Sequence, residues 1–316
     1  MNDRDAALGA ALAEVLGARQ VSGLVRLSGG ASRETFRFEA DGRALVLQRQ
    51  RAGDVRSMTL EAQVLRAARS AGVPVAELIA SSGDAPSEIG ASFIVSAAVD
   101  GETIARKILR DAEFEEARHV LPAQFGRALA QLHRTDVSGV AGLTAPDQLT
   151  MYRDILDSTG QAHPAFELAF KWLETNRPSS TTTTLVHGDF RLGNVIVDHS
   201  GLAAVIDWEL AHLGDPMEDL GWLCTKAWRF GSPLPVGGVG TYEQLIAAYE
   251  AESGLTLDLD VVRWWEVLGT LKWGIMCIGQ AMAHTSGAVR SHELAAIGRR
   301  VCENEHDLFL ALEGRW

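Results

Sequence analysis

The sequence predicts an α+β fold of two lobes, a small lobe built on a sheet and a larger lobe made mainly of helices. Its length of 316 residues exceeds what one typical hydrophobic core requires and suits two lobes. Short β-branched runs between turn residues predominate before residue 98, and apolar residues at helical spacing predominate after residue 102. We therefore expect an N-terminal lobe at 1–98 and a C-terminal lobe at 99–316.

The composition narrows the class of protein. A hydrophobic content of 47% with 22% charged residues is that of an ordinary globular protein. The net charge of -12 argues against a nucleic-acid partner, because such proteins need a basic surface. The first residues carry acids and no basic segment ahead of an apolar core, and no apolar run reaches membrane-spanning length. We expect a cytoplasmic protein without a membrane partner; the sequence does not indicate an oligomeric state.

The first elements are a helix, two strands and a glycine-containing loop. Apolar spacing predicts a helix that ends near Gly17, followed by strands at 21–27 and 35–39. The loop between these strands contains Gly29, Gly30 and Ser32, whose backbone could approach phosphate groups without obstruction by side chains. Taken alone, two adjacent glycines between strands more often form a simple hairpin turn.

The third strand and the next helix carry two polar residues of interest. In the strand at 44–49, alternation places Gln48 and Arg49 on opposite faces of the sheet. The helix predicted at 55–70 has Glu61 within an apolar stripe. A carboxylate buried there needs a cation or strong hydrogen-bond donors, because unpaired burial costs several kcal/mol. The alternative places Glu61 at the edge of the stripe, in water.

The later elements are mostly helical. A strand follows Gly72, and an apolar strand from Phe93 runs into a turn near Glu102. Helical patterns cover 102–134 and, as one long closing helix, 291–314. Large aromatic residues usually pack helical lobes, so we interpret the C-terminal tryptophans as core. Apolar helical surroundings likewise predict buried structural thiols, and neither a disulfide framework nor a zinc site, for Cys224, Cys277 and Cys302.

The stretch LVHGDFRLGNVIVD (185–198), with the strand AAVIDWE (203–209), carries the chemistry. It reads as a strand, a polar loop, a second strand, a tight turn and a third strand. Asp189, Asn194 and Asp207 are thereby placed on a hairpin where they can converge. In phosphoryl transfer, an Asp orients the attacking hydroxyl, an Asn five positions later binds Mg²⁺, and an Asp on the next strand binds Mg²⁺ across the nucleotide phosphates.

The pattern H-G-D-x-x-x-x-N followed by I-D-W-E resembles the aminoglycoside phosphotransferase family of kinase-like enzymes. The run HLGDPMEDLGWL (212–223) resembles the subgroup found beside acyl-CoA dehydrogenase domains. This resemblance implies a protein-kinase-like fold, with a small antiparallel-sheet lobe and a helical lobe, and a reaction that uses ATP and Mg²⁺. It implies that Asp189 is catalytic and that Asn194 and Asp207 bind the metal.

The resemblance also assigns the nucleotide contacts. The glycine loop and Glu61 would order the triphosphate, and backbone groups from Ala97 to Val99 would bind adenine. The family usually has Lys or Arg at the end of the third strand, where this chain has Gln48. Arg49 could substitute for it only through a bulge or a twist of the strand.

Other residues near the motif have expected roles. His187 is expected to brace the polar loop, and Asp219 to hydrogen-bond the backbone of that loop. Arg191 either contacts the γ-phosphoryl group or braces the acidic residues of the loop. His133 is expected to be structural, with loop backbone as its partner. Asp215 is expected to cap a helix. Trp228 and Arg229 are expected to lie in the cleft and to bind a carboxylate or a phosphate group.

The expected acceptor is a hydroxyl of a small molecule. The subgroup resemblance favours hydroxyacyl compounds or hydroxyacyl-CoA thioesters, followed by sugars and amino alcohols. Aminoglycosides would require carboxylates, which the chain offers at Glu303, Glu305 and Asp307. Two alternatives stay open, a pseudokinase or nucleotide-binding scaffold, which Gln48 permits, and a metal-dependent hydrolase using His187, Asp189 and Asp207.

Overall fold

A computed structural model of the protein describes residues 3–27, 33–51, 56–83, 89–179 and 182–315. Gly29, Gly30 and Ser32 lie outside these residues, so their expected role stays a prediction.

The N-terminal part is a five-stranded antiparallel sheet flanked by two helices. The order of its strands is β1-β2-β3-β5-β4. Helix α1 covers Asp3–Leu16 and helix α2 covers Met58–Ser70. The strands are β1 Val21–Arg26, β2 Arg33–Ala40, β3 Arg43–Gln50, β4 Leu78–Ser81 and β5 Phe93–Ala97.

The two faces of this sheet have different neighbours. The register of β2 with β3 runs without interruption, so side chains alternate between faces along both strands. One face carries Phe36 and Leu47 and packs against α1. The opposite face carries Ile94, which packs against Met58 of α2. Gln48 is the register partner of Ile94 and therefore lies on the α2 face.

The strand expected directly after Gly72 begins later. Residues 73–77 are not a strand, and β4 begins at Leu78. Pro74 has no N–H to give to a ladder, and its carbonyl accepts the Val205 N–H at 2.7 Å. Val73 and Val75 are buried in the core of the C-terminal part. The segment therefore joins the two parts of the chain.

The C-terminal part contains nine helices and two two-stranded sheets among the described residues. Strand β6 pairs with β9, and β7 pairs with β8 as a hairpin. The strands are β6 Thr184–Val186, β7 Val195–Asp198, β8 Gly201–Val205 and β9 His212–Gly214. The helices are α3 Ala105–Arg110, α4 Glu115–His133, α5 Gln148–Thr159, α6 Pro164–Thr175, α7 Met217–Cys224, α8 Tyr242–Ser253, α9 Leu259–Thr285, α10 His292–Ile297 and α11 Arg300–Leu312.

The largest hydrophobic core crosses the expected lobe boundary. It includes Val64 and Ala68 of α2 together with Phe125 and Leu129 of α4. An antiparallel bridge between Glu102 and the β7–β8 hairpin adds to this contact. The division at residues 98 and 99 stays a prediction. In the described part of the chain, every helix is too short or too polar to cross a membrane.

Two expectations about the C-terminal end are wrong. The single closing helix is two helices, α10 and α11, separated at Gly298. A Cβ at Gly298 would lie 2.7 Å from the Cβ of Ala281, so glycine allows α9 to approach closely here. Cys302 is exposed, whereas Cys224 and Cys277 are buried as expected.

Candidate active site

The β7–β8 hairpin and the loop before it form the framework of the site. We call residues 187–194 the polar loop; it follows β6 and closes with a 3₁₀ turn at Leu192–Asn194. At the hairpin turn, Asp198 Oδ1 accepts the N–H and the O–H of Ser200, each at 2.7 Å. Gly201 follows with a φ of 115°, which glycine adopts readily. The strand, loop and hairpin pattern predicted from the sequence is confirmed.

Asp189 is held by three side-chain donors. Its Oδ1 accepts from Trp222 Nε1 at 2.7 Å and from Arg191 Nε at 3.0 Å. Its Oδ2 accepts from Asn194 Nδ2 at 2.5 Å. Three donors on one carboxylate stabilise the charged form and fix its orientation. Asp189 is therefore an oriented acceptor at the head of the polar loop.

Asn194 is turned so that its amide oxygen is left for another partner. Its Nδ2 also donates to the backbone carbonyl of Asp189 at 3.0 Å. Both hydrogen bonds of the Asn194 Nδ2 go to Asp189, so Oδ1 is the side-chain atom that remains for a ligand. The backbone carbonyl of Asn194 accepts the Ile206 N–H at 3.0 Å. Asp207 is the next residue after Ile206, so it follows directly after this contact.

Asp207 is in a different environment from the other acids of the polar loop. Its φ of 68° lies in the left-handed region, where a non-glycine residue is strained. Burial, followed by the charges of Glu209, Asp189 and Glu61, raises the pKa of Asp207 to about 7. A carboxylate surrounded by other carboxylates is stabilised by a cation. The site therefore has the charge that a divalent metal would offset.

The donor set fits Mg²⁺ in particular. Magnesium takes few protein oxygens and completes its shell with phosphate and water. Asp207 and the free Oδ1 of Asn194 would supply one carboxylate and one amide oxygen. Across the described ranges, no group of three or more His, Cys, Asp or Glu residues forms a metal site.

His187 connects the polar loop to the end of β8. It is fully buried. Its Nδ1 accepts the Asp189 N–H at 3.2 Å, and its Nε2 donates to the Ile206 carbonyl at 3.1 Å. Burial lowers the pKa of His187, which favours this neutral form. The geometry supports a bracing role, and both ring nitrogens are already in use.

Asp219 holds the start of the polar loop, as the sequence predicts. It is fully buried on α7 and accepts the N–H groups of His187 at 2.8 Å and Gly188 at 2.9 Å. His133 Nε2 is 3.2 Å from the same carboxylate. Although burial raises the pKa of Asp219, these hydrogen bonds and the nearby histidines outweigh it and lower the pKa. The expectation for His133 needs a correction, because its partners are Asp219 and Tyr249 (2.9 Å) instead of loop backbone.

Lys272 of α9 contacts the polar loop, which the sequence pattern did not indicate. It is buried, and its Nζ donates to the Gly188 carbonyl at 2.8 Å and lies 3.5 Å from Glu218 Oε1. The ammonium group also lies 4.5 Å from the centre of the Trp222 ring. Lys272 is 84 residues from Gly188 in sequence, so no local pattern could have indicated this contact.

Arg191 and Arg229 have partners within the protein. The guanidinium of Arg191 donates to Asp189 and lies 4.7 Å from the centre of the Trp228 ring. This geometry is that of the bracing alternative. Arg229 is buried and bonds the Cys224 carbonyl at 3.0 Å and Glu266 at 2.5 Å. The expected carboxylate-binding role of Arg229 is wrong, because burial and Glu266 occupy its guanidinium. The Asp215 cap is present, since its Oδ1 accepts the Met217 N–H at 2.8 Å.

Glu61 has the cationic partner that its burial requires, and the partner is Arg33 of β2. Glu61 is 4% exposed, so the alternative of a solvated carboxylate is wrong. Arg49 does not substitute for the missing cation of β3, since β3 has no bulge and Arg49 pairs with Glu34 on the other face. Gln48 stays on the α2 face as a neutral residue.

Hydrogen bonds within the protein already use part of the backbone that was expected to bind adenine. The Ala97 N–H donates to the Glu77 carbonyl at 2.8 Å, so it is unavailable to a base. The Ala98 N–H donates to the Ala44 carbonyl at 3.0 Å. The backbone of Val99 has no hydrogen-bond partner among the residues that the structure describes. Val99 is therefore the part of the segment that stays open to a ligand.

The fold and the polar loop define the kinase-like class of phosphotransferases. The model of the family described as "Phosphotransferase enzyme family" matches residues 23–265, and the chain belongs to this family. A protein from Ralstonia eutropha, provisionally assigned to the aminoglycoside phosphotransferases, matches with a TM-score of 0.75 and 21% identity, over 98% of each chain. A thermostable mutant of aminoglycoside phosphotransferase APH(4)-Ia, in a ternary complex with AMP-PNP and hygromycin B, matches with a TM-score of 0.64 and 19% identity, over 95% of this chain and 98% of that one.

Relatives in sequence include acyl-CoA dehydrogenase family members. Family member 11 from Gallus gallus is 29% identical over 89% of this chain and 40% of its own length. Family member 10 from Mus musculus is 29% identical over 67% of this chain and 21% of its own length. The chain thus spans less than half of either protein. Hygromycin-B 4-O-kinase from Escherichia coli is 27% identical over 62% of this chain and 60% of its own length.

Proposed function

We propose that this protein is an ATP- and Mg²⁺-dependent phosphotransferase that acts on a hydroxyl group of a small anionic molecule, with hydroxyacyl compounds or their CoA thioesters first. The observation that carries the proposal is the contact between Asp189 and Asn194, beside an Asp207 whose neighbours are other carboxylates. Such a site is suited to a divalent cation that would be held against the phosphates of a donor. AMP-PNP in the related APH(4)-Ia complex supports a nucleotide as that donor.

Each residue has a distinct task in this proposal. Asp189, fixed by Trp222 and Asn194, accepts a hydrogen bond from the acceptor hydroxyl and orients it for attack. Asn194 and Asp207 would hold Mg²⁺ through their free oxygens. When bound, the metal and the triphosphate supply charge neutralisation and the transferable phosphoryl group. His187 keeps the polar loop attached to β8, so that these oxygens stay together.

A cleft lined by the residues on either side of Trp228 supports the proposal of an anionic acceptor. Its volume is about 500 Å³, and Ala227 and Arg229 line it on either side of Trp228, whose ring contacts Arg191. Basic side chains line it from three elements, Arg106 of α3, Lys226 before Trp228, and Arg300 with His306 of α11. The guanidinium groups of Arg106 and Arg300 make no hydrogen bond or ion pair with described residues. Free cations in a cleft of this size suit phosphate or carboxylate groups.

The acids at the C-terminal end do not offer a site for a polycationic sugar. Asp307 pairs with Lys226 at 2.9 Å, and Glu305 pairs with His163 at 2.9 Å. Their charges are therefore offset within the protein. Glu303 and Asp307 both line the cleft, and Glu303 is the one of the three acids that forms no ion pair with the described residues. This balance favours an anionic acceptor over an aminoglycoside.

The test measures ADP release from ATP and Mg²⁺ across a panel of hydroxyacyl-CoA thioesters, free hydroxy acids, choline and hygromycin B. We expect turnover with an anionic hydroxyl compound and its loss in Asp189→Asn. Turnover with hygromycin B or choline alone would contradict the proposed acceptor. Binding of ATP with Mg²⁺ but no ADP release with any acceptor would favour the scaffold, and phosphate release from simple esters without ATP would favour the hydrolase.

A matched pair of variants tests the cleft. Arg300→Gln should raise KM for an anionic acceptor about tenfold, since one charge-assisted hydrogen bond contributes about 1.5–3 kcal/mol. Arg127→Gln, an exposed arginine of α4 outside the cleft, should leave KM unchanged. Equal KM values for the two variants would remove the cleft from the acceptor site.

A further inference from the structure

Arg33 is a buried cation whose hydrogen-bonding capacity is only partly used. It begins β2, directly after the glycine-containing segment, and is 5% exposed. Its Nη1 pairs with Glu61. Its Nε and Nη2 are buried and have no hydrogen-bond partner among the described residues. Buried polar atoms without partners are costly, so a guanidinium left in this state is suited to a ligand that supplies acceptors.

Arg33 lies beside the position that lacks a cation. It is the register partner of Gln50 in β3, two residues from Gln48 on the same face. Diagonal neighbours in an antiparallel pair lie about 7–8 Å apart, within the reach of an arginine side chain. An arginine on β2 can therefore place its charge where a cation at position 48 would otherwise be.

The pair also lies next to the metal-binding end of β8. Glu61 is in the first turn of α2, and its N–H donates to the carbonyl of the capping residue Ser57 at 3.3 Å. Arg56, the residue before the cap, forms an ion pair with Glu209 at 2.6 Å. Glu209 is two residues after Asp207, so the start of α2 is attached to the segment that carries the metal ligand. The Arg33–Glu61 pair is thereby connected, through the start of α2, to the segment that carries Asp207.

We propose that Arg33 binds the phosphates of the nucleoside triphosphate, in place of the missing cation on β3, and that Glu61 orients it. Glu61 engages one nitrogen of the guanidinium, which leaves Nε and Nη2 for phosphate oxygens. A planar guanidinium can offer two parallel donors to one phosphate group, which an ammonium cannot. This proposal rests on the proposed function, because it requires a nucleotide at this site.

The alternative is an ion pair that only supports the fold, and nucleotide binding distinguishes the two. Affinity for ATP with Mg²⁺ and for adenosine is measured by calorimetry on the full chain. The principal variant is Arg33→Gln/Glu61→Gln, which replaces the ion pair by two neutral amides and leaves no orphan charge in the core. Arg37→Gln is the control, since Arg37 is on the same strand and pairs with the exposed Asp100.

The double variant should bind ATP about tenfold more weakly or worse and should bind adenosine as the wild type does. Arg37→Gln should leave both affinities unchanged. A lysine introduced at position 48, as Arg33→Gln/Gln48→Lys with Glu61 retained, should restore at least part of the ATP affinity. Arg33→Lys, which keeps the ion pair, provides a second test if the double variant fails to fold. Arg33→Lys should weaken the affinity for ATP several-fold and leave the affinity for adenosine unchanged.

Two results would overturn the proposal. One is an unchanged ATP affinity in a folded Arg33 variant, and the other is an equal loss of ATP and adenosine affinity, which would indicate a distorted lobe. If the wild type binds ATP and the Arg33 variants bind it equally well, only this inference fails. If the wild type binds no ATP with Mg²⁺, the proposed function fails together with it.

Discussion

Asp219 and Asp207 are two carboxylates of the same site with opposite electrostatic surroundings. Asp219 accepts two backbone N–H groups and contacts His133, and its pKa is lowered despite complete burial. For Asp207, burial and the charges of Glu209, Asp189 and Glu61 outweigh the opposing charge of Arg191, and its pKa is raised to about 7. Among the described residues, Asp219 thus has hydrogen-bond donors for its carboxylate, and Asp207 has none.

We infer that this difference separates acids that maintain the fold from acids that are available to a ligand. A buried carboxylate with its donors inside the protein is part of the framework. A carboxylate whose pKa is raised by burial and like charges is a candidate for metal or proton chemistry. Three predictions test this division, each by replacing one carboxylate and following the free energy of unfolding.

The largest effect is expected at Asp219. Asp219→Ala leaves the N–H groups of His187 and Gly188 buried without acceptors, and we expect a loss of about 3–5 kcal/mol in the free energy of unfolding. Urea denaturation without ligand measures this loss. Asp219→Asn keeps one acceptor oxygen and should lose less than the alanine variant. Equal stability of wild type and Asp219→Ala would show that the loop does not depend on this carboxylate.

An effect of the opposite sign is expected at Asp207. Because its folded pKa is about 7, above the usual value of 3.8, the ionised form costs folding free energy that grows as pH rises from about 4 to 7 and then stays constant. Asp207→Asn removes this cost. The stabilisation by Asp207→Asn should therefore be larger at pH 8 than at pH 5, by about 2–3 kcal/mol.

The measurement is urea denaturation of both proteins at pH 5 and pH 8 without Mg²⁺ or nucleotide. In parallel, under the proposed function ATP with Mg²⁺ should stabilise the wild type against heat, and Asp207→Asn should lose this stabilisation. The sign of the change in the free energy of unfolding decides between the two roles of Asp207. A destabilisation of the ligand-free protein at pH 8 would place Asp207 with Asp219 in the framework.

The smallest effect is expected at Asp198. This carboxylate also has internal donors, since its Oδ1 accepts the N–H and O–H of Ser200, and these bonds lower its pKa. It is partly exposed at the hairpin turn, and asparagine serves the same turn, so Asp198→Asn should change the free energy of unfolding by less than about 0.5 kcal/mol. Thermal unfolding near pH 7 measures it. A loss comparable to that of Asp219→Asn would mean that donor number, regardless of burial, sets the cost.

Local patterns predicted the parts of the site that lie close together in sequence. The spacing of Asp189, Asn194 and Asp207 follows from a strand, a loop and a hairpin, all of which are short-range structures. Asp219 was also found, because the run that contains it could be recognised as a motif. Burial of Glu61 followed from its position in a helical stripe, and so did its need for a cation.

Contacts between distant segments could not be predicted in the same way. Trp222 Nε1 reaches Asp189 across 33 residues, and Lys272 reaches Gly188 across 84. Strand alternation placed Gln48 and Arg49 on opposite faces, which is confirmed, but it did not show that Arg33 was close enough to replace the cation. That contact depends on the register of β2 with β3 and on the position of α2 over the sheet.

The sequence by itself determined the class of fold, the family and the order of polar groups in the loop, because backbone geometry and residue spacing fix these over short distances. The tertiary structure alone decided which carboxylates have donors and which do not. It also decided which arginine meets Glu61 and which basic residues line the cleft next to Trp228. Charges act through space, so their balance at a site depends on how distant segments pack.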